Sequence, residues 1–108
     1  MGISRTRVRR ASLDDLVVVQ KIIDEYYSEV GVLVRDDQGQ LEKYFNEDSG
    51  VWLALDGTNI VGCVALLPLA TRVDACEIKR LYVRPSSRGM RIADSLMDGV
   101  EIRRMTFR

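Results

Sequence analysis

The chain has 108 residues, of which 46% are hydrophobic and 30% charged, values typical of one soluble globular domain. Sixteen Lys and Arg balance sixteen Asp and Glu, and there is no histidine. The lack of histidine excludes Ser-His-Asp and Cys-His nucleophile systems, imidazole zinc sites and histidine acid–base chemistry. A catalytic centre in this sequence therefore has to use carboxylates, tyrosines, thiols or the backbone.

The first elements in the chain are predicted to be a short strand and a long helix. Residues Thr6–Arg10 alternate and indicate an edge strand. Ser12, with Asp15 three residues later, is typical of a helix start. Apolar residues then recur at helical spacing, which predicts a first helix over Leu13–Glu29 that ends at Gly31.

A second, shorter helix is predicted to begin at Asp36 and Asp37. The turn residues Asp48–Gly50 close it. Its predicted inner positions are Leu41, Tyr44 and Phe45.

After this helix the pattern becomes extended. Val51–Leu55 predicts a strand, Asp56–Asn59 has the composition of a hairpin turn, and Ile60–Leu67 predicts the returning antiparallel strand. Pro68 ends that strand, and Ala75–Val83 predicts the next one.

The strand at Ala75–Val83 has an irregular apolar pattern. Cys76 and Ile78 fall on one face of a regular strand, whereas Leu81 and Val83 fall on the opposite face. A β-bulge near Lys79–Arg80 would place both pairs on the core side. The alternative is a strand that is buried on both faces.

A loop and a last helix are predicted to follow this strand. Pro85 disfavours helix at the residue before it, so Arg84–Ser87 is predicted to be a loop. After Gly89 a helix is predicted, and we expect Arg103–Phe107 to form its last turn rather than the start of a further strand. The apolar positions of this helix are Ile92, Leu96, Met97 and Val100.

The two cysteines bear on the compartment of the protein. Met1–Arg10 is polar and no secretory signal follows it, while the longest apolar stretch, Ile60–Ala70, is too short to span a bilayer. We therefore expect a cytoplasmic protein without membrane contacts, in which Cys63 and Cys76 are reduced and buried. A chance disulfide between them is the alternative.

Charge is unevenly distributed along the chain. Residues 11–71 carry three basic and eleven acidic side chains, whereas residues 79–91 carry five basic side chains and no acid. Such a local cluster favours a small phosphorylated ligand over nucleic acid, which selects broad basic faces. On charge alone, solvated surface residues are the simpler interpretation. The five are Lys79, Arg80, Arg84, Arg88 and Arg91.

The segment Leu81–Ala93 predicts a strand, a tight polar loop and the start of a helix. A loop that leads into a helix presents unpaired backbone N–H groups and the positive end of the helix dipole. Gly89 allows the backbone to approach a ligand closely, and Arg88 and Arg91 add positive charge. These features predict a binding site for a pyrophosphate group.

These residues resemble a known family. Glu77–Pro85, followed by Arg88-Gly89 and Ile92-Ala93, is similar to the acetyl-coenzyme-A-binding segment of the GNAT superfamily of N-acetyltransferases. The loop of that family reads Arg/Gln-x-x-Gly-x-Gly/Ala, so Arg88 and Ala93 match it while Arg91 replaces the central glycine. A helix-entry position does not require positive φ, so we expect an L-residue to be tolerable there. The order of the other elements is also similar, from about Val8 to Met97.

The resemblance implies roles for individual residues. The backbone of Leu81 and Val83 would bind the pantetheine arm, and the N–H of Leu81 would polarise the acetyl carbonyl. Glu77 would accept the proton of the substrate amine, directly or through water; the alternative is a surface acid paired with Lys79 or Arg80. Tyr26 and Tyr27 would pack or line the acceptor pocket. The implied coenzyme-binding residues are Leu81, Tyr82, Val83, Arg88, Gly89, Met90, Arg91, Ile92 and Ala93.

The resemblance implies a fold of the α/β class, an α+β arrangement with a mixed sheet in the order β-α-α-β-β-β-α. Family members usually continue with another strand, a helix and a hairpin, which often supply a tyrosine that protonates the thiolate. We therefore expect residues 1–108 to form one C-terminally shortened domain. The strand Ala75–Val83 would then have an exposed edge, which predicts a homodimer, with exchange of C-terminal segments as one route.

Two functions follow from the resemblance. The first is an enzyme that transfers an acetyl group from acetyl-CoA to a primary amine of a small molecule or peptide by direct attack, without a metal. The second is a non-catalytic module that binds coenzyme A or a protein partner. An unrelated α+β protein with a basic loop would not explain the ordered series of elements.

Overall fold

Within the part of the chain that the structure describes, four strands pair in chain order into one antiparallel sheet. The computed structural model describes residues 6–31, 38–46, 48–68 and 76–106, with the backbone alone for residues 38, 76 and 101–106. The predicted element order is confirmed. The elements are β1 (Thr6–Arg10), α1 (Leu16–Val30), α2 (Gln38–Leu41), β2 (Gly50–Asp56), β3 (Asn59–Pro68), β4 (Cys76–Val83) and α3 (Ile92–Thr106).

Helix α1 begins three residues later than predicted, because Leu13–Asp15 forms a 3₁₀ turn ahead of it. The predicted start is otherwise confirmed, since the backbone N–H of Ser12 donates to the carboxylate of Asp15 over 2.8 Å. Gly31 ends the helix in the left-handed region at φ +79°, as the sequence predicted.

The second helix is shorter than predicted. The predicted start at Asp36 and Asp37 lies outside the described residues, and α2 is followed by a 3₁₀ segment over Glu42–Phe45. Leu41 and Tyr44 are fully buried, as predicted from their spacing. Together with α1 they cover one face of the sheet.

The two inner strands are buried on both faces. Along β2, Val51 and Leu53 pack with α1 and α2, whereas Trp52 and Ala54 pack with α3. Strand β3 divides its side chains in the same way. Two helical layers therefore enclose the sheet, and α3 buries the predicted residues Ile92, Leu96 and Val100.

The predicted bulge in β4 is confirmed. Cys63 of β3 pairs with Tyr82 and Ala65 pairs with Lys79, so two residues of β4 oppose one residue of β3. Arg80, the first of the two, has φ +58°, and its carbonyl accepts the thiol of Cys63 at 3.3 Å.

Beyond the bulge, one part of the prediction is wrong. Ile78 and Val83 both pack on the α3 side, as the register change requires. Leu81, predicted to point into the core, is instead 40% exposed. The reason is its position at the bulge, where the strand turns its side chain out of the regular alternation.

Two further expectations concern the cysteines and the membrane. Cys63 is a free, buried thiol as predicted, whereas the side chain of Cys76 lies outside the described part. Among the described residues, no helix combines the length and the apolar character needed to cross a bilayer.

Candidate functional site

The segment after β4 forms the tight loop that the sequence predicted. The N–H of Arg84 donates to the carbonyl of Val61 over 2.8 Å, which is the last bond of the sheet. Residues Pro85–Ser87 then form a 3₁₀ turn, and Gly89 at φ +86° leads the chain toward α3. The first N–H groups of α3 have no acceptor within the helix, so they are available to an anion.

A cavity of about 300 Å³ lies at this loop and at the start of α3. Two of its lining side chains, Arg88 and Arg91, are cationic, and Asp94 is the one acid among them. The cavity therefore suits a phosphorylated group held by amides and guanidinium groups. Its other lining residues include Val83, Gly89, Ile92 and Ala93.

The expectation about the backbone of Arg91 is wrong. Arg91 has φ +59°, in the left-handed region, whereas we expected that this position would not require positive φ. The residue is the last one before α3, and the chain uses a left-handed turn there to redirect itself into the helix. Because this region favours glycine, the arginine is held there at an energetic cost.

The end of β4 presents backbone groups away from β3. Groups of successive residues in an antiparallel strand point alternately to the two sides. Since the backbone groups of Arg84 and Tyr82 face β3, those of Val83, which lies between them, face the outer edge. This edge is unpaired among the described strands. An extended amide-bearing arm could bind there as an added strand.

A second cavity, of about 440 Å³, lies between this edge and the end of α1. It brings together Tyr26, Glu29 and Val30 of α1 with Leu81 and Tyr82 of β4. Its lining is mostly aromatic and aliphatic, with Val83, Arg88 and Ala93 continuing it toward the first cavity. Residues of the predicted coenzyme site therefore line two adjoining cavities.

The two tyrosines predicted at the acceptor pocket have different surroundings. Tyr26 lines the second cavity and packs edge-on against Tyr82, with ring centroids 6.0 Å apart. Tyr27 is 6% exposed and belongs to the core, where the guanidinium of Arg80 lies 5.0 Å from its ring. Of the pair, Tyr26 is the one placed to contact a ligand.

Two carboxylates of helix α1 pair with two arginines of the basic cluster that the sequence showed. Glu25 accepts two hydrogen bonds from Arg84, of 2.9 and 2.6 Å. One turn later, Glu29 accepts one of 2.6 Å from Arg88. The hydrogen bond that Arg88 donates to Glu29 raises the pKa of Arg88 and lowers the pKa of Glu29. The basic cluster is thus partly neutralised by acids 59 residues away.

Tyr82 lies between these ion pairs. Burial raises the pKa of its hydroxyl, and the carboxylates of Glu29 and Glu25 raise it further. The guanidinium of Arg88 lies 5.8 Å from the centre of the Tyr82 ring. Tyr82 therefore stays protonated at neutral pH and can donate a hydrogen bond.

Glu77, the predicted proton acceptor, lies near the start of β4. Its carboxylate is 3.4 Å from the Nζ of Lys79, and its side chain is 48% exposed. It lines neither of the two cavities described above. The ion pair that we considered as the alternative role is therefore present, and catalysis by Glu77 stays a prediction.

The described residues contain no group of three or more Asp, Glu or Cys side chains that could hold a metal. Cys63 lies in the core, and burial raises the pKa of its thiol to about 12. Neither observation adds a group to the site beyond those at β4, the loop and α1.

Comparison with known proteins gives three findings. A model of the acetyltransferase (GNAT) family matches residues 16–105. An uncharacterized N-acetyltransferase from Schizosaccharomyces pombe is 36% identical over 85 residues, in a match that covers 74% of this chain and 51% of that protein. The chain thus spans about half the length of this curated relative.

Solved structures share the fold. A GNAT-family acetyltransferase from Staphylococcus aureus superposes with a TM-score of 0.78 at 20% identity, over 94% of this chain and 67% of that one. A predicted acetyltransferase from Clostridium acetobutylicum, solved with acetyl-CoA, gives a TM-score of 0.68 at 23% identity, over 88% and 70% of the two chains.

Proposed function

Because this chain belongs to the acetyltransferase (GNAT) family, we propose that it transfers an acetyl group from acetyl-CoA to a primary amine. One observation carries the proposal. The loop cavity with its helix-start amides adjoins the second cavity and the outer edge of β4, on which the bulge at residues 80–81 lies. The groups that would bind the phosphates, bind the arm and polarise the carbonyl would then share one groove, formed by the two cavities and this edge.

The coenzyme is assigned to this groove in three parts. The N–H groups of Gly89–Ala93 would hold its pyrophosphate, with Arg88 and Arg91 supplying positive charge. Val83 would bind the pantetheine arm through its outward backbone groups. Leu81 would donate its N–H to the acetyl carbonyl.

The reaction follows as a direct transfer. The amine nitrogen attacks the acetyl carbon while the N–H of Leu81 stabilises the negative charge on the carbonyl oxygen. This attack forms the C–N bond, and collapse of the adduct restores the C=O bond and breaks the C–S bond. Glu77 would take the proton that the amine loses, directly or through water, and the thiolate leaves to be protonated.

The acceptor is proposed to be a small molecule or a peptide with a primary amine. Tyr26 and Leu81 line the second cavity beside the groove, so an acceptor with an apolar or aromatic body next to its amine would suit it. The Schizosaccharomyces pombe relative is described as an N-acetyltransferase, which supports an amine as the acceptor class.

A second candidate is a module that binds coenzyme A or a partner without turnover. It is favoured by the left-handed Arg91, where the family motif has glycine, and by the pairing of Glu77 with Lys79. The groove for the coenzyme would be the same. Only the chemical step separates this candidate from the first.

The experiment has two stages. Calorimetric titration of the purified chain with acetyl-CoA should give saturable binding, and the absence of binding would contradict both the enzyme and a module that binds coenzyme A. Release of free coenzyme A thiol is then followed with a panel of amines that differ in size and apolar character. Release that depends on an amine supports the enzyme, whereas binding without release supports the module.

We further propose a homodimer that pairs through the outer edge of β4 ahead of the bulge, at residues 77–79, which leaves the backbone of Leu81 and Val83 to the coenzyme. That part of the edge is unpaired among the described strands, and it carries the half-buried Ile78. Light scattering over a concentration series tests the assembly. A particle with the mass of one chain at every concentration, still able to bind acetyl-CoA, would contradict it.

A further inference from the structure

Arg88 is folded back across the groove in this structure. Its Nε donates to the carbonyl of Val83 over 2.9 Å, and its Nη2 lies 2.6 Å from the carboxylate of Glu29. Its guanidinium also lies over the ring of Tyr82. The side chain thereby occupies an outward backbone acceptor of β4, and it lines both cavities.

The neighbouring ion pair provides a comparison. Glu25 and Arg84 are joined by two hydrogen bonds, and their side chains are 34% and 31% exposed. Glu29 and Arg88 share one hydrogen bond to the carboxylate, and their side chains are 39% and 48% exposed. Arg84 is not among the residues that line the two cavities. The pair at Arg88 is therefore the weaker one and the one within reach of a ligand.

We propose that Glu29 is a positioning residue that sets the affinity for the coenzyme by holding Arg88 over the groove. This inference rests on the proposed function. Arg88 can exchange the carboxylate of Glu29 for a phosphate oxygen, since both are anionic acceptors for the same guanidinium. When Arg88 leaves, the carbonyl of Val83 becomes available to an amide N–H of the pantetheine arm. Glu29 thus competes with the pyrophosphate for one cation.

If Glu29 competes with the pyrophosphate, removing its charge should tighten the binding of coenzyme A, which a purely structural role of Glu29 does not predict. Glu29→Gln keeps the shape of the side chain but removes the charge that retains Arg88. We expect this variant to bind coenzyme A about threefold to fivefold more tightly than the wild type, because an exposed ion pair holds Arg88 only weakly. Loss of a supporting ion pair would instead weaken binding. In turnover with acetyl-CoA, we expect KM to fall while kcat stays the same.

The test is a double-mutant cycle read by calorimetric titration with coenzyme A. Its proteins are the wild type, Glu29→Gln, Arg88→Gln and the double variant, with Glu25→Gln as the matched control on the same helix. In the background that retains Arg88, Glu29→Gln should tighten the binding of coenzyme A. In the Arg88→Gln background, it should change the dissociation constant by less than about twofold. Glu25→Gln should not tighten binding, because Arg84 lines neither cavity. Thermal unfolding checks that every variant is folded.

Three results would overturn the role of Glu29. These are weaker binding by Glu29→Gln, unchanged binding by Glu29→Gln, and equal tightening with and without Arg88, which would indicate general repulsion of the coenzyme. Each of them leaves the proposed function intact, because the wild type still binds. Failure of all the proteins to bind coenzyme A would overturn the proposed function, and this inference with it.

Discussion

Glu25 and Arg84 join helix α1 to the residue that follows β4 through two hydrogen bonds, of 2.9 and 2.6 Å. The same Arg84 makes the last backbone bond of β4 with β3, to Val61. The ion pair therefore fixes the point at which the strand ends and the coenzyme loop begins. A loop that starts from a fixed point needs less ordering when it binds a ligand.

The first prediction concerns this ion pair. Arg84→Lys keeps the charge but cannot form both hydrogen bonds with Glu25, because an ammonium lacks the planar fork of a guanidinium. We expect a loss of about 1 kcal/mol in the free energy of unfolding, measured with urea. Lys21→Arg, an exchange on the exposed face of α1, is the control and should change it little. An unchanged stability for Arg84→Lys would show that the second bond is not needed.

The second prediction concerns the phosphate cavity. Arg88→Glu replaces a cation by an anion at the loop and should weaken the binding of acetyl-CoA by more than tenfold, that is by more than ~1.4 kcal/mol. Calorimetry measures the dissociation constant. Arg7→Glu, on the exposed side of β1, makes the same change in net charge away from the loop. If both variants weaken binding equally, the effect is general electrostatics; an unchanged affinity for Arg88→Glu excludes this loop as the phosphate site.

The third prediction concerns proton transfer. Glu77→Gln should lower kcat by about a hundredfold or more while changing the KM for acetyl-CoA much less, because the strand backbone that holds the coenzyme is retained. Rates are compared over a range of about pH 6–9, where amine deprotonation matters.

A control separates this role from the ion pair with Lys79. Lys79→Gln removes the same ion pair but leaves the carboxylate of Glu77 in place. It should keep kcat within a few-fold of the wild type. Equal rates for Glu77→Gln and the wild type would make Glu77 a structural acid.

The fourth prediction concerns the left-handed residue before α3. Arg91→Gly should raise the free energy of unfolding by about 0.5–1 kcal/mol, because the cost of positive φ for an L-residue exceeds the entropy that glycine loses. Met90→Gly is the matched control, since Met90 is exposed in the same loop and is not among the residues with positive φ. It should lower the stability. Equal effects of the two substitutions would contradict the assigned strain.

The fifth prediction concerns acid. The hydrogen bonds from Arg9 lower the pKa of Asp15 to about 2, from an ordinary value of 3.8. A pKa lowered in the folded state contributes stability above the unfolded value and loses it as the pH falls through the folded value. Arg9 is 42% exposed, so solvent screening limits the contribution to about 1 kcal/mol.

Urea unfolding measures this contribution. Asp15→Asn should be less stable than the wild type at neutral pH, and the difference should shrink as the pH falls from about 4 to about 2. Asp14→Asn, an exposed change in the same turn, is the control. A difference that stays constant with pH would assign the effect of Asp15 to the shape of its side chain rather than to its charge.

The sequence predicted the features that arise from local patterns. The two helical faces and the hairpin at Asp56–Asn59 follow from the spacing of apolar and turn residues, and all are observed. The bulge was also predictable, because Ile78 and Val83 have to reach the same core from positions of opposite parity. The position of the loop after β4 was likewise predictable from local turn residues.

Features that depend on distant contacts were not predictable. Glu25 and Glu29 appear in the sequence as exposed acids of a helix, and nothing in the spacing relates them to arginines 59 residues later. The left-handed Arg91 was missed because a residue before a helix can enter it with ordinary dihedral angles. Here the loop turns before it enters α3, and this turn places Arg91 in the left-handed region.

The buried thiol of Cys63 has a consequence for measuring motion in the core. Burial raises the pKa of this thiol to about 12, so the thiol is protonated at pH 7, and it lies beneath α1. An alkylating reagent can therefore attack Cys63 only when the chain opens around β3. The labelling rate under native conditions then reports the free energy of that opening. Cys63 is thus an internal probe of transient opening of the sheet, and it lies opposite the bulge in β4.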